Sequence, residues 1–320
     1  MKYSKLNCGL EISALTLGTM MFGNKVDSVN ADKILGIALE NGINSVDTAG
    51  TYNFGESELI TGRIISGKRD KIILGTKIGY PLSGGIDKSE LKPDMVISET
   101  EAALKRLNTD YIDILYLHAP DHETPVEQTL EAADRLVKSG KVRFLGVSNY
   151  SAWELTELLW TAEKNHLTPI SVTQNIYNGI SRIIESELVP CAKHFGLGVL
   201  TYNPLAGGLL TGKYSDMSPE SGRLSWNKLY KNRFLNENNL AAVNELKSAA
   251  EQSGMKLTEL ALRWCLTRDF TDSVLIGVTS PGQLENNLKM CSFEPLSQEL
   301  SECCEKQWSI LRGTSPGYAR

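Results

Sequence analysis

Eight short β-rich runs alternate with longer amphipathic runs, and polar side chains of chemical character stand at the end of run after run. Together these two observations predict an α/β fold, a (β/α)8 TIM barrel with an N-terminal hairpin and an extra C-terminal helix. The alternation alone leaves a doubly wound sheet open. The second observation separates the two, because a doubly wound sheet gathers its site at one switch point whereas a barrel brings all eight strand ends to one face. Asp47, Lys77, His118, Ser148 with Asn149, Gln174 with Asn175, and Tyr202 with Asn203 all stand at or just after carboxyl ends. One barrel domain over residues 1–320 is expected.

The elements follow in order. YSKLNCGLEIS reads as a hairpin turning at Asn7-Cys8-Gly9, placed to plug the amino-terminal mouth. The runs ALTLGT (14–19), INSVDTA (43–49), KIILGTK (71–77), YIDILYLH (111–118), VRFLGVSN (142–149), PISVTQN (169–175), LGVLTYN (197–203) and DSVLIGV (272–278) read as buried parallel strands. Between them, ADKILGIALENG, DMVISETEAALKRLN, VEQTLEAADRLVKSGK and SAWELTELLWTAEKN read as helices. Ser151 ahead of Glu154 signals a capping box, and Gly42 and Gly140 close two helices. The segment from Tyr214 to about Glu237 lacks clean periodicity and is expected to be a functional loop. The residues after Leu296 form the last helix, followed by a tail ending GTSPGYAR.

Composition is ordinary for a globular chain: 320 residues, 41% hydrophobic, 22% charged, net charge -5. The mild negative charge argues against nucleic acid as partner. The N-terminus shows no apolar signal region and no run approaches the roughly 18 apolar residues of a membrane span, so a cytoplasmic protein is expected. The six cysteines lack C-x-x-C spacing and read as reduced thiols. His118, His122, His166 and His194 lack clustered ligand spacing, and no metal site is expected.

Asp47, Tyr52, Lys77 and His118 form the chemical constellation. A tyrosine donates a proton near neutrality only if neighbouring positive charge favours its phenolate; Lys77 supplies that charge and Asp47 keeps it. His118 can orient a carbonyl oxygen. A proton donor without a nucleophile points to reduction by an external hydride, hence a nicotinamide in the barrel mouth. Ser148, Asn149 and Gln174 suit its carboxamide, or else cap strand ends, and Tyr202 offers a face for stacking. GGLLTGKY (207–214) is one residue from a P-loop, but Tyr214 replaces the magnesium-binding Ser or Thr; the anion-binding half, glycine N–H groups plus Lys213, survives.

DTAGTYNFGESE, ILGTK, YLHAPD, LGVSNY and YNPLAGGLLTGKY resemble the aldo-keto reductase superfamily over nearly the whole chain. HAPDHETPVEQTLEA, SNYSAWELTEL, YNGISRIIESELVPCAKHFGL, Asn232-Arg233-Phe234 and PGYAR resemble its aflatoxin-aldehyde reductase branch, whose members reduce succinic semialdehyde and dicarbonyls. The resemblance implies an NADPH-dependent carbonyl reductase with Tyr52 as acid. It places Gly207, Gly208 and Lys213 over the pyrophosphate, and Thr279 and Ser280 at the adenosine 2′-phosphate. Gln283 stands where many members carry arginine and Asn286 where glutamate is common, leaving Arg223 to supply the charge. Thr19, Met20, Asn203, Pro204, Leu205, Gly277 and Asn287 are further cofactor positions by the same match. Arg233 and Arg320 are implied to grip a substrate carboxylate, with Trp226 lining the pocket or packing the loop. A homodimer is implied, and the alternative activity is that of an NADPH-binding potassium-channel β subunit with slow turnover.

Overall fold

The computed structural model describes residues 1–82, 88–214, 217 and 219–314. Strands β1 (Tyr3–Lys5) and β2 (Glu11–Ser13) form an antiparallel hairpin. Eight parallel strands follow: β3 (Leu15–Gly18), β4 (Ser45–Asp47), β5 (Ile73–Ile78), β6 (Ile112–Leu117), β7 (Val142–Ser148), β8 (Ile170–Ile176), β9 (Gly198–Tyr202) and β10 (Ser273–Gly277). They close into a barrel in the order β10-β3-β4-β5-β6-β7-β8-β9. Twelve helices are described: α1 (Ser28–Glu40), α2 (Glu56–Ile65), α3 (Pro93–Leu107), α4 (Val126–Lys138), α5 (Ala152–Lys164), α6 (Leu188–Phe195), α7 (Arg223–Trp226), α8 (Lys228–Phe234), α9 (Glu237–Gln252), α10 (Leu257–Leu266), α11 (Pro281–Met290) and α12 (Gln298–Arg312). The barrel, the hairpin and the final helix match the sequence expectation. The Tyr214–Glu237 segment does not, because it holds α7 and α8. Helices of four and seven residues are too short to show a 3.6-residue period, and α8 is nucleated by a cap, Asn227 accepting from Tyr230 N at 3.0 Å.

The chain groups into two compact units, Met1–Asn175 with Ile184–Leu200 and Phe270–Glu285, and Ile176–Ile183 with Thr201–Asp269 and Asn286–Arg320. In the first, the hairpin seats on the starts of the strands. Leu6 is buried within 3.0 Å of where a Cβ on Gly198 would stand, and Asn7 Nδ2 donates to Gly196 O at 2.8 Å. The Ser151–Glu154 capping box forms as the sequence indicates. In the second unit, α9 packs along α12, and buried Arg182 pairs with Glu305 at 3.0 Å while its guanidinium lies over Trp264. Among the described residues no helix is long and apolar enough to cross a membrane.

Strand alternation decides which side chains face the barrel interior. Asp47 pairs with Gly75, Lys77 with Tyr116, and Ser148 with Gln174, all in parallel register. The Tyr116 ring fills the interior against two strands that lack side chains at that level. A Cβ on Gly146 would stand 2.6 Å from the ring and 2.8 Å from Val172, and one on Gly75 3.1 Å from the ring. Gly146→Ala is therefore expected to destabilise the fold by about 1–3 kcal/mol through overpacking, measured by urea denaturation.

Candidate active site

Because Asp47 is opposite Gly75 in the ladder, Lys77 two residues further along β5 lies beside it on the same face. The two form a buried ion pair, their side chains 4% and 1% exposed respectively. Lys77 Nζ also donates to Thr48 O at 2.9 Å and to Tyr52 Oη at 3.4 Å, so the ammonium uses all three of its donors. On its far side Asp47 Oδ2 accepts from Gln174 Nε2 at 2.8 Å, a bond across the barrel from β8 to β4.

Tyr52 comes from a tight turn after β4 in which Asn53, Phe54 and Gly55 all have left-handed backbone, with φ of 50°, 58° and 86°. Asn53 Nδ2 holds that turn by donating to Met20 O at 3.0 Å and Phe22 O at 2.7 Å. His118 follows β6. Its ring meets Tyr52 edge-on at 6.2 Å between centroids and Tyr80 at 4.9 Å. The ring is partly open to solvent, but Nδ1 is buried without a hydrogen-bond partner. Burial, with the Lys77 charge adding to it, pushes the imidazole well below the usual histidine range, so His118 is neutral at neutral pH.

Ser148 and Asn149 adjoin this centre. Asn149, left-handed at φ 64°, donates from Nδ2 to His118 O at 2.9 Å and to Ser148 Oγ at 3.1 Å. Thr19 is fully buried and hydrogen-bonded to Asp47 O at 3.1 Å and Ser57 Oγ at 2.9 Å, which fixes the end of β4. Beyond β10, exposed Thr279 donates from N and Oγ1 to Gln283 Oε1 at 2.7 and 3.1 Å, Gln283 N donates to Ser280 Oγ, and Gly277 is exposed. Asn286 is exposed and Asn287 buried further along α11.

The remaining sequence-predicted positions belong to the second unit. Ala206, Gly207 and Gly208 have consecutive left-handed backbone, a glycine turn in which Ala206 N donates to Asn203 O at 3.0 Å and Gly208 N to Leu205 O at 2.8 Å. A Cβ on Gly208 would lie 3.2 Å from Lys213 Nζ, so the lysine charge is at this turn. Tyr214 Oη accepts from Leu224 N at 3.2 Å, a packing role in place of the metal-binding hydroxyl of a P-loop. Arg223 stacks over Tyr230 at 5.0 Å, and Asn203 Nδ2 reaches Tyr230 Oη at 3.5 Å. Tyr202 and Leu205 are half-buried; Trp226 and Arg233 are exposed. Arg320 lies outside the described residues.

Three contributors escaped the sequence reading. Tyr116, hydrogen-bonded to Gln174, floors the site with Lys77 Nζ 5.8 Å from its ring centre; burial and the Asp47 charge push its phenol well above the usual range. Its signal was its place two residues before His118 on the same strand face. Behind Lys77, buried Glu58 accepts from Thr76 Oγ1 at 2.5 Å and pairs with Arg106 Nε at 2.6 Å.

A closed parallel barrel whose strand ends gather a lysine paired with a carboxylate, a phenol within reach of it and a neutral histidine holds the groups that general acid–base chemistry uses. The family is settled by comparison: the chain belongs to the aldo/keto reductase family, whose model matches residues 14–308. These are oxidoreductases of aldehydes and ketones that generally use a nicotinamide cofactor. The chain is 38% identical to human "Aflatoxin B1 aldehyde reductase member 2", covering 96% of this chain and 89% of that one. It is 36% identical to human "Aldo-keto reductase family 7 member A3", covering 96% and 97%. It is 35% identical to "Probable voltage-gated potassium channel subunit beta" of Arabidopsis thaliana, covering 92% and 93%.

A histidine kept neutral by the fold makes stability depend on pH. Above about pH 6.5 both folded and unfolded forms of His118 are neutral and the contribution is constant. As pH falls below that value the unfolded chain takes up a proton that the folded chain does not, and stability is lost. Urea unfolding of wild type and His118→Gln at pH 7 and 5.5 is expected to show a steeper acid loss in wild type, by up to about 1.4 kcal/mol per pH unit.

Proposed function

We propose that this protein reduces aldehydes and ketones to alcohols with NADPH, Tyr52 giving the proton. The observation that carries the reading is the Tyr52 phenol 3.4 Å from an ammonium that is itself clamped by Asp47. NADPH, when bound, supplies the hydride. Tyr52 Oη donates its proton to the carbonyl oxygen, and the Lys77 ammonium stabilises the phenolate left behind. Asp47 keeps Lys77 charged in a buried position and Gln174 holds Asp47 in place. Neutral His118 orients the carbonyl oxygen through a ring N–H.

The residues present suit NADPH. Ser148, Asn149 and Gln174 would hold the carboxamide and Tyr202 the nicotinamide face. The glycine turn at Ala206–Gly208 with Lys213 would take the pyrophosphate, the Asn203-Pro204-Leu205 turn leading into it. Thr279 and Ser280 at the start of α11, with Arg223, would take the 2′-phosphate, and Gln283, Asn286 and Asn287 the adenosine. Thr19, Met20 and Gly277 complete the set. We assign Arg233 and Arg320 to a substrate carboxylate and Trp226 to the pocket wall. The whole acts as one barrel domain, in the cytoplasm, as a homodimer.

Consumption of NADPH across a panel of aldehydes and dicarbonyls tests the reading; tight NADPH binding with no turnover on any of them would favour a cofactor-binding subunit instead, the reading suggested by the channel-subunit relative. Tyr52→Phe is expected to keep NADPH affinity, measured by fluorescence titration, and to lose about 10²-fold or more of kcat. Arg233→Met is expected to raise KM for a semialdehyde acid about tenfold and leave that for a neutral aromatic aldehyde unchanged; equal effects in steady-state assays would remove the carboxylate role.

A further inference from the structure

Phe54 is the most exposed large apolar side chain among the described residues, at 75%. It is also left-handed, with φ 58° and ψ 36°, a conformation that side chains other than those of glycine and asparagine adopt at a cost. Its neighbours impose that conformation. Asn53 is tied down by two backbone carbonyls, and Arg106, ion-paired to Glu58, lies against Gly55 with its Cδ 3.0 Å from where a Cβ would stand. A phenylalanine at this point therefore costs stability through strain and, being exposed, recovers little of it by burial. Strain and exposed apolar surface that the fold does not need mark functional positions.

The position is two residues from Tyr52, and its surroundings share its character. Leu82, 43% exposed, brings its Cδ2 to 3.4 Å from a Cβ placed on Gly55, and Tyr80 stacks on His118 at 4.9 Å. Phe54 thus stands on the turn that carries Tyr52, Leu82 meets the same turn at Gly55, and Tyr80 lies on His118. We propose that Phe54 is a specificity-determining residue that contacts an apolar group attached to the substrate carbonyl, an aryl ring or a longer alkyl chain. This rests on the carbonyl-reductase reading above, and selects within it for substrates with an apolar body beside the reacting carbon.

The test compares an aromatic aldehyde such as benzaldehyde with a small hydrated dicarbonyl such as glyoxal, on wild type, Phe54→Asn and Phe54→Leu. Asparagine tolerates the left-handed backbone but lacks the apolar surface; leucine keeps much of the surface and the strain. Phe54→Asn is expected to raise KM for the aromatic aldehyde about tenfold, to leave KM for glyoxal within about twofold, and to melt no lower than wild type. Phe54→Leu is expected to stay within about threefold of wild type on both. An unchanged KM for the aromatic aldehyde in Phe54→Asn overturns the proposal, as does an equal loss on both probes, with or without a lower melting temperature. Wild type inactive on both probes is a different result, which overturns the reductase reading itself and this assignment with it.

Discussion

One ammonium held charged in a nearly waterless place is the constraint on which the carboxyl face of the barrel depends. Burying the Lys77 and Asp47 charges costs several kcal/mol per ion, and such a pair is rarely a net gain over apolar packing. The chain offsets that cost by giving each ammonium proton and both carboxylate oxygens a partner: the ammonium has a carboxylate, the Thr48 carbonyl and a phenol, and the carboxylate's other oxygen has an amide. A pair so completely satisfied, yet so costly, is intelligible if the phenol beside it must lose a proton during turnover. Stability alone gives no reason to place it there.

Two supporting shells hold the pair in position. Inside the barrel, the Tyr116 ring occupies the space left by Gly75 and Gly146 and engages Gln174, which in turn grips Asp47. Outside it, Glu58 binds Thr76, the strand neighbour of Lys77, and pairs with Arg106, which braces the turn carrying Tyr52. The hydroxyls of Thr19, Thr48 and Ser57 lock the end of β4 between these shells. The distance between the phenol and the ammonium is thus set by side chains from β4, β5, β6, β8, α2 and α3 and by Thr19 just after β3.

What the sequence disclosed follows from the same physics. Parallel strands buried on both faces leave continuous apolar runs, so all eight barrel strands were legible, and the polar residues interrupting their ends stood out because apolar runs surround them. The capping box at Ser151 was legible because it is local. Tyr116 was not read, since an aromatic in the middle of a strand reads as core, and its place two residues before His118 was a weak local signal beside its partners across the barrel. Nor was Glu58–Arg106, whose members are separated by 48 positions and whose charges read as helix surface. The helices α7 and α8 escaped because their lengths fall below one recognisable period.

Lys77 and His118 stand near enough for the charge of one to act on the other, and burial opposes the protonated form of both. A cation is retained in low dielectric where a carboxylate touches it and suppressed where nothing does. Lys77 has Asp47; His118 has a buried Nδ1 without a partner and an ammonium nearby. The environment therefore divides the labour before substrate arrives. On the reading proposed above, the lysine would be a fixed charge that lowers the cost of a phenolate, and the histidine a neutral donor that can point at an oxygen without competing to protonate it. On the same reading, Tyr52 is the group beside them that would give up a proton.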